Sequence, residues 1–147
     1  MSDWPDEKIR STSLRYITKH LMDTSTWRAT VVGAMHPELG LSVEMKPGES
    51  PIVSCFHSEA SWYVLSTRRV LGACRGRAVD LAVLDVAKQS FGDFKGHGGS
   101  ATEFMNLESA NGQSAWLEYE CGKASMAPIY YFRYWTIKYP VLNKLQP

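Results

Sequence analysis

The sequence has little net charge and no long apolar run. Its 147 residues carry 16 Lys and Arg against 15 Asp and Glu, which gives a formal net charge of +1. Because dedicated nucleic-acid binders usually carry a clear basic excess, we expect no nucleic-acid partner. The most apolar segment, residues 127–145, contains Arg133, Lys138 and Lys144. These charges argue against a membrane span.

Cysteine is also scarce. Cys55, Cys74 and Cys121 are odd in number and far apart, with no Cys-x-x-Cys pair, so neither a disulfide framework nor a structural zinc site is expected. The segment Met1–Arg10 is polar and does not resemble a secretory signal. These features predict reduced thiols and a cytoplasmic location, and we expect no metal and no cofactor.

Motifs for catalysis are missing. The sequence contains no His-Glu-x-x-His, no Walker loop and no Gly-x-Ser-x-Gly elbow, so the glycine-rich segment Gly96–Ser100 is interpreted as a hairpin tip. Cys55 and His57 fall on one predicted strand, and we expect their side chains to point to opposite faces. No catalytic residue is therefore assigned.

Residues 1–40 are predicted to form a helical element. Asp3 is a candidate N-cap, and Pro5 suits a first helical turn. Apolar residues then recur at spacings of three and four and form one stripe: Leu14, Ile17 and Leu21. A second short helix is predicted from Thr24 or Ser25 to Met35.

Residues 41–147 switch to a period of two, which predicts antiparallel strands with one wet face. Asn111-Gly112 is the preferred pair for a two-residue hairpin turn. The predicted strands are Ile52–His57, Ser61–Ser66, Arg69–Arg75, Arg77–Leu84, Val86–Lys95, Ala101–Glu108 and Gln113–Cys121. A closing helix follows, and the expected fold class is α+β.

Aromatic residues are the feature that the chain has in excess, with five Trp, seven Tyr and five Phe. Many lie in the closing helix, predicted from Ser125 to Lys138 with a continuation past Pro140 left open. At 100° per residue its apolar side chains fall on two faces. One face holds Tyr131, Phe132, Trp135, Tyr139 and Leu142, and the other holds Tyr130, Tyr134, Ile137, Val141 and Leu145.

Local sequences match a known pattern. Lys46-Pro47-Gly48-Glu49 precedes an apolar strand, and the Thr-Arg-Arg of Trp62–Leu71 separates two more. Over about residues 46–145 the chain resembles bacterial pleckstrin-homology-like (GRAM-type) domains. The resemblance implies a seven-stranded antiparallel meander or barrel closed by a C-terminal helix, here with N-terminal helices added. It also implies a module that binds phosphoinositides, peptides or proteins.

Two groups of residues are candidates for binding. Trp116, Glu118 and Glu120 share the wet face of one predicted strand, and Tyr130 with Tyr134 offers a second face of the closing helix; aromatic residues of this kind anchor protein interfaces. The second group is a basic one that suits anions: Arg68, Arg69, Arg75 and Arg77. Arg68 and Arg69 are expected at the opposite end of a hairpin from Arg75 and Arg77.

Three functions are compatible with these features. The first is a non-enzymatic protein-binding module, for example a bacterial immunity protein that neutralises a cognate toxin. The second is a lipid-headgroup or anion binder, which is disfavoured because the first predicted hairpin loop, His57–Ser61, carries no Lys or Arg. The third is a small enzyme such as a nuclease. The sequence leaves the oligomeric state open.

Overall fold

The computed structural model describes residues 4–138, which form two helices and two antiparallel sheets. The larger sheet has strand order β1-β2-β3-β4-β5 and the smaller β6-β7-β8. The helices are α1 (Asp6–Thr18) and α2 (Met126–Lys138). The strands are β1 (Thr30–Val32), β2 (Pro51–Ser58), β3 (Ser61–Ser66), β4 (Arg69–Cys74), β5 (Arg77–Ala82), β6 (Val86–Phe91), β7 (Thr102–Ser109) and β8 (Ser114–Glu120).

The α+β class is confirmed, and each of the seven predicted strands is present. All neighbouring strands pair antiparallel. The predicted hairpin between the last two strands is present, but its turn is not the predicted two-residue one. The Ser109 N–H donates to the Gln113 carbonyl, so Ala110, Asn111 and Gly112 form the loop, and Gly112 has a positive φ of 88° whereas Asn111 does not. Strand alternation therefore located this part of the fold correctly.

A closed barrel is not found among residues 4–138. β5 ends one sheet and β6 begins the other, with no pairing between them. A short 3₁₀ helix, Val83–Asp85, separates the two strands and redirects the chain. The sheets consequently leave a gap along β5.

The second predicted helix is wrong. Thr24–Thr26 forms only a 3₁₀ turn, and Thr30–Val32 pairs with β2 as strand β1. The three β-branched residues of β1 favour an extended chain, because branching at Cβ restricts the helical rotamers. The larger sheet thus gains a strand that the sequence pattern did not reveal.

Helix α1 begins at Asp6, with Asp6 and Glu7 in its first turn, where carboxylates stabilise the positive helix end. Ile9, Ser13 and Ile17 are fully buried, so the buried stripe begins one turn earlier than predicted. Leu14 and Leu21 pack against the same core and are partly buried. The candidate N-cap Asp3 lies outside the described residues.

The two sheets cross closely where β4 meets β8. Gly72 of β4 lies so near to Leu117 of β8 that a Cβ on Gly72 would be 2.6 Å from the Leu117 Cδ2 and 2.5 Å from the Trp62 carbonyl oxygen. Position 72 requires glycine because a side chain would collide with these atoms, and not because its backbone conformation excludes other residues. Around this crossing the core is fully buried: Tyr63, Leu65, Met105, Leu107, Leu117 and Tyr119.

Helix α2 is buried on both sides. The Tyr131 hydroxyl donates to the Ser66 carbonyl at 2.6 Å, and Phe132 packs 6.3 Å from Phe91, so this face covers the sheets. The other face meets α1, where the Tyr134 hydroxyl lies 2.6 Å from the Thr12 hydroxyl. Continuation past Pro140 and the placement of Tyr139, Val141, Leu142 and Leu145 lie outside the described residues.

The turn between β3 and β4 connects the sheet to the other layers. Arg68 pairs with Asp6 of α1 at 2.7 Å, and Arg69 pairs with Glu49 at 2.7 Å. The Trp4 indole N–H donates to the Thr67 carbonyl at 2.8 Å. Helix α1 and the segment before β2 are therefore fixed to the same four-residue stretch, residues 66–69.

We expect Gly72→Ala to destabilise the protein by about 2 kcal/mol or more, because the added methyl group meets backbone and core atoms that cannot both move. Chemical denaturation measures this loss. Gly40→Ala is the matched control, since φ is −58° and the nearest atom would lie 3.7 Å away. Equal stability of the two variants would contradict the close sheet crossing.

The Glu49 carboxylate predicts a dependence of stability on pH. Burial alone would raise its pKa, but hydrogen bonds from Arg69, Ser66 and the Lys46 N–H outweigh burial and lower the pKa from 4.5 to about 2. Because the folded pKa is the lower one, the stabilisation is complete above pH 4.5 and is lost as the pH falls towards 2.

Glu49→Gln should therefore cost about 3 kcal/mol at pH 7, and the difference from the parent protein should shrink below pH 4.5. Urea denaturation at several pH values measures it. Glu44→Gln, an exposed carboxylate in the same segment, is the control and should change little. A loss that stays the same down to pH 3 would show that the Glu49 charge is not responsible.

Candidate functional site

A groove of about 1070 Å³ runs along β5, in the gap between the two sheets. It exists because β5 and β6 are not paired. Its apolar lining comes from both sheets: Val79, Leu81, Phe91, Phe104, Ala115 and Trp116. A concave apolar surface with a few polar groups at its mouth is the usual form of a binding site.

Arg75 enters this groove from the turn between β4 and β5. Arg75 has φ 53° and Gly76 has φ 81°, and positive φ at both central residues is what a type I′ hairpin turn requires. A non-glycine residue in this conformation costs about 1–2 kcal/mol. The Arg75 guanidinium carbon lies 5.0 Å from the centroid of the Phe104 ring, so a cation–π contact holds the side chain.

Trp116 lies in the same groove and is 52% exposed. Alternation along β8 turns Leu117 and Tyr119 into the core and leaves Trp116 on the opposite face. The groove therefore combines a half-exposed indole, the Arg75 guanidinium held on Phe104, and the exposed Arg77. Such a surface can bind acidic and apolar groups side by side.

The basic residues separate into two pairs, as the sequence indicated. Arg68 and Arg69 form ion pairs with Asp6 and Glu49 at one end of β4. Arg75 and Arg77 line the groove at the other end and form no ion pair within residues 4–138. Of the four predicted anion-binding residues, the structure brings these two together.

Glu118 and Glu120 share a face with Trp116, but internal hydrogen bonds occupy their carboxylates. Glu118 accepts from the hydroxyls of Ser61 and Thr102. Glu120 accepts from the N–H groups of Arg28 and Ala29 and from the Thr30 hydroxyl. These bonds hold β8 across the ends of β1 and β3.

The hydrogen bonds also change the acidity of Glu118. Burial would raise the pKa of this carboxyl, but the Ser61 and Thr102 hydroxyls donate to it and lower the pKa below its usual value. Glu118 is therefore charged at neutral pH. The positive charges of His57 and Arg75 lower the pKa of Glu118 further.

The predicted partner surface on α2 is covered by α1. Tyr134 is 1% exposed. Tyr130 stacks on His20 with ring centroids 4.0 Å apart, and Arg133 lies over the Tyr130 ring. The hypothesis that Tyr130 and Tyr134 are available to a partner is therefore not supported, because the buried face of α1 packs against this face of α2.

Cys55 and His57 do not point to opposite faces as expected. Residues two apart on a strand share a face, and the Cys55 sulfur lies 3.3 Å from the His57 Nε2. The two-residue spacing of Cys55 and His57 on one predicted strand was the signal from which this contact could have been predicted. The Thr30 hydroxyl oxygen lies 3.8 Å from the sulfur.

This Cys–His pair does not have the properties of a nucleophile and its base. Cys55 is fully buried, and burial raises the pKa of its thiol to about 12. Reactive cysteines have lowered pKa values and accessible sulfur atoms. Within residues 4–138, no group of three or more His, Cys, Asp or Glu side chains is placed to hold a metal ion.

Phe104 is a groove residue that was not among the site residues predicted from the sequence. It lies on the half-exposed face of β7, in register with Glu118 of β8. An aromatic residue at an outward position of an alternating strand was the available signal, in the same way as Trp116. What the sequence did not show is that the β4–β5 turn brings Arg75 over it.

The chain matches no protein-family model, no curated protein and no solved structure. In the part of the chain that the structure describes, neither helix has the length and apolarity to cross a bilayer.

We predict that Cys55 is unreactive in the folded protein. A shift of the thiol pKa from 9.0 to about 12 lowers the thiolate fraction about a thousandfold. At pH 8 iodoacetamide should modify the partly exposed Cys121 first and Cys55 only after denaturation, as followed by peptide mass spectrometry. Modification of Cys55 in the folded protein at the rate of Cys121 would instead indicate activation by His57.

Proposed function

We propose that this protein is a non-enzymatic module that binds another protein through the groove along β5. The observation that carries the proposal is the half-exposed Trp116 beside Arg75 and Arg77 in one concave surface. Trp and Arg are enriched among the residues that dominate protein interfaces. The predicted residues Glu118, Glu120 and Tyr134 act here through internal contacts.

The groove is partly organised for binding. The contact with Phe104 and the positive φ of Arg75 restrict where this guanidinium can lie. Ordering a long side chain on association costs about 0.5–1.5 kcal/mol, and a side chain ordered in advance avoids part of this cost. This supports recognition of a partner by Arg75 and Trp116 together.

A pleckstrin-homology-like architecture is part of the proposal. Two antiparallel sheets that follow one another in the chain, and a helix that covers them at the C-terminal side, support it. So does the position of the Thr-Arg-Arg sequence at a strand turn that ion pairs stabilise. The three cysteines are free, which supports a reducing, cytoplasmic location.

One version of the proposed function is a bacterial immunity protein that covers the active site of a toxin. An exposed aromatic anchor in one groove with two cations suits a partner surface that carries carboxylates, as many hydrolytic centres do. A second candidate is an anion or lipid-headgroup binder. Arg75 and Arg77 of the groove, which form no ion pair within the described residues, favour it.

Affinity purification from cells that contain the protein tests the proposal. We expect a partner protein in stoichiometric amount, which Trp116→Ala loses almost completely, since removal of an interface tryptophan commonly costs 2 kcal/mol or more. Ile137→Ala is the matched control, because Ile137 is 54% exposed and lies on α2.

The outcome that contradicts the proposal is equal retention of the partner by both variants, or no partner. Binding to anionic vesicles that Arg75→Ala/Arg77→Ala abolishes, without a protein partner, would favour the headgroup binder.

A further inference from the structure

β5 is an edge strand that opens into the groove. Its inner neighbour is β4, and within residues 4–138 no strand pairs with its other side. Over Arg77–Ala82 the backbone groups on that side are therefore free of ladder bonds. An exposed edge of this length is a template for an added strand.

The two faces of β5 differ in exposure. Val79 is buried and Leu81 half-buried on one face, whereas Ala78, Asp80 and Ala82 on the other face are exposed, and all of these except Ala82 line the groove. The two residues that flank Asp80 on the exposed face are small, and the Asp80 carboxylate lies 3.8 Å from the Arg69 Nη1. A strand added here would lie about 4.8 Å from β5, with every second side chain directed into the apolar groove.

The end of the groove near the β4–β5 turn is basic. Arg75 belongs to this turn and Arg77 is the first residue of β5, and both line the groove. Two acidic residues also line the groove, and both have contacts within the chain: Asp80 lies 3.8 Å from the Arg69 Nη1, and Glu103 accepts from the Phe104 N–H. The Glu118 carboxylate, which interacts with Arg75, accepts hydrogen bonds from Ser61 and Thr102. Arg77 has no ion pair within residues 4–138 and is the cation most open to a carboxylate from a partner.

We propose that the groove takes up an extended segment of a partner protein that pairs with β5 and places acidic side chains beside Arg75 and Arg77. This inference rests on the proposed function and specifies the chemistry of its partner. β5 runs away from the turn, so an antiparallel segment approaches the turn with its C-terminal part. The acidic residues consequently follow the alternating apolar residues in the partner's sequence.

A displayed library of random twelve-residue peptides, selected on the full chain, tests the inference. The expected result is enrichment of sequences with alternating apolar residues followed by Asp or Glu. Synthetic peptides of the enriched sequences should bind, and Arg77→Glu should weaken them about tenfold or more. Lys8→Glu is the matched charge reversal on α1, and it should leave the affinity unchanged.

Backbone methylation distinguishes strand pairing from side-chain binding. A strand added at an edge uses the N–H groups of alternate residues, so methylating one alternate set should abolish binding and methylating the other set should not. Equal binding of both methylated peptides overturns the inference. So does a selection that enriches nothing, or peptides without acidic residues, or displacement of the peptide by inorganic phosphate alone.

The result also separates this inference from the proposed function. A partner protein that Trp116→Ala releases but Arg77→Glu retains would overturn the strand addition and leave the proposed function standing. A second copy of the chain on β5 would overturn both, and sedimentation would show it as a dimer that Arg77→Glu dissociates.

Discussion

The polar network around residues 66–69 is the constraint on which the arrangement of the layers depends. Asp6 from α1, Glu49 from the segment before β2, and Tyr131 from α2 all bond to this one turn. Two buried carboxylates meet two guanidinium groups there, and removal of one partner would leave a charge without compensation, which is strongly destabilising. Apolar burial supplies most of the favourable free energy, but these directional contacts determine where each layer lies.

The positions of the aromatic side chains of α2 follow from the contact of this helix with residues 66–69. The bond from Tyr131 to Ser66 sets the rotation of α2, and this rotation directs Phe132 to the sheets and Tyr134 to α1. Both faces of the aromatic helix are then occupied within the chain. The aromatic excess is therefore mainly a packing feature, and among the described aromatic side chains Trp116 is the one exposed by half.

Strand periodicity and turn residues predicted the larger part of the fold, because both act locally. Seven strands, the hairpin at Asn111-Gly112 and the two-faced closing helix depend on residues close in the chain, although the hairpin loop has three residues and not the predicted two. β1 is only three residues long, too short for a period to appear, and its pairing with β2 depends on distant residues. Within residues 4–138 the predicted barrel does not close, because one 3₁₀ turn between β5 and β6 separates the sheets. The alternation of apolar and polar residues along a strand does not indicate such a separation.

The types of residue in the candidate site could be predicted from the sequence, but the contacts that each residue makes could not. Arg68 and Arg75 are chemically the same, yet they lie at opposite ends of β4 and meet different neighbours. Arg68 finds Asp6, sixty-two positions away in the chain, whereas Arg75 finds an aromatic ring and an open groove. An edge strand beside an apolar groove is normally a liability for aggregation, and charges at its end discourage indiscriminate pairing. Arg75 and Arg77 place positive charge at the end of β5, and this charge is the basis for the proposal that the edge accepts an acidic strand.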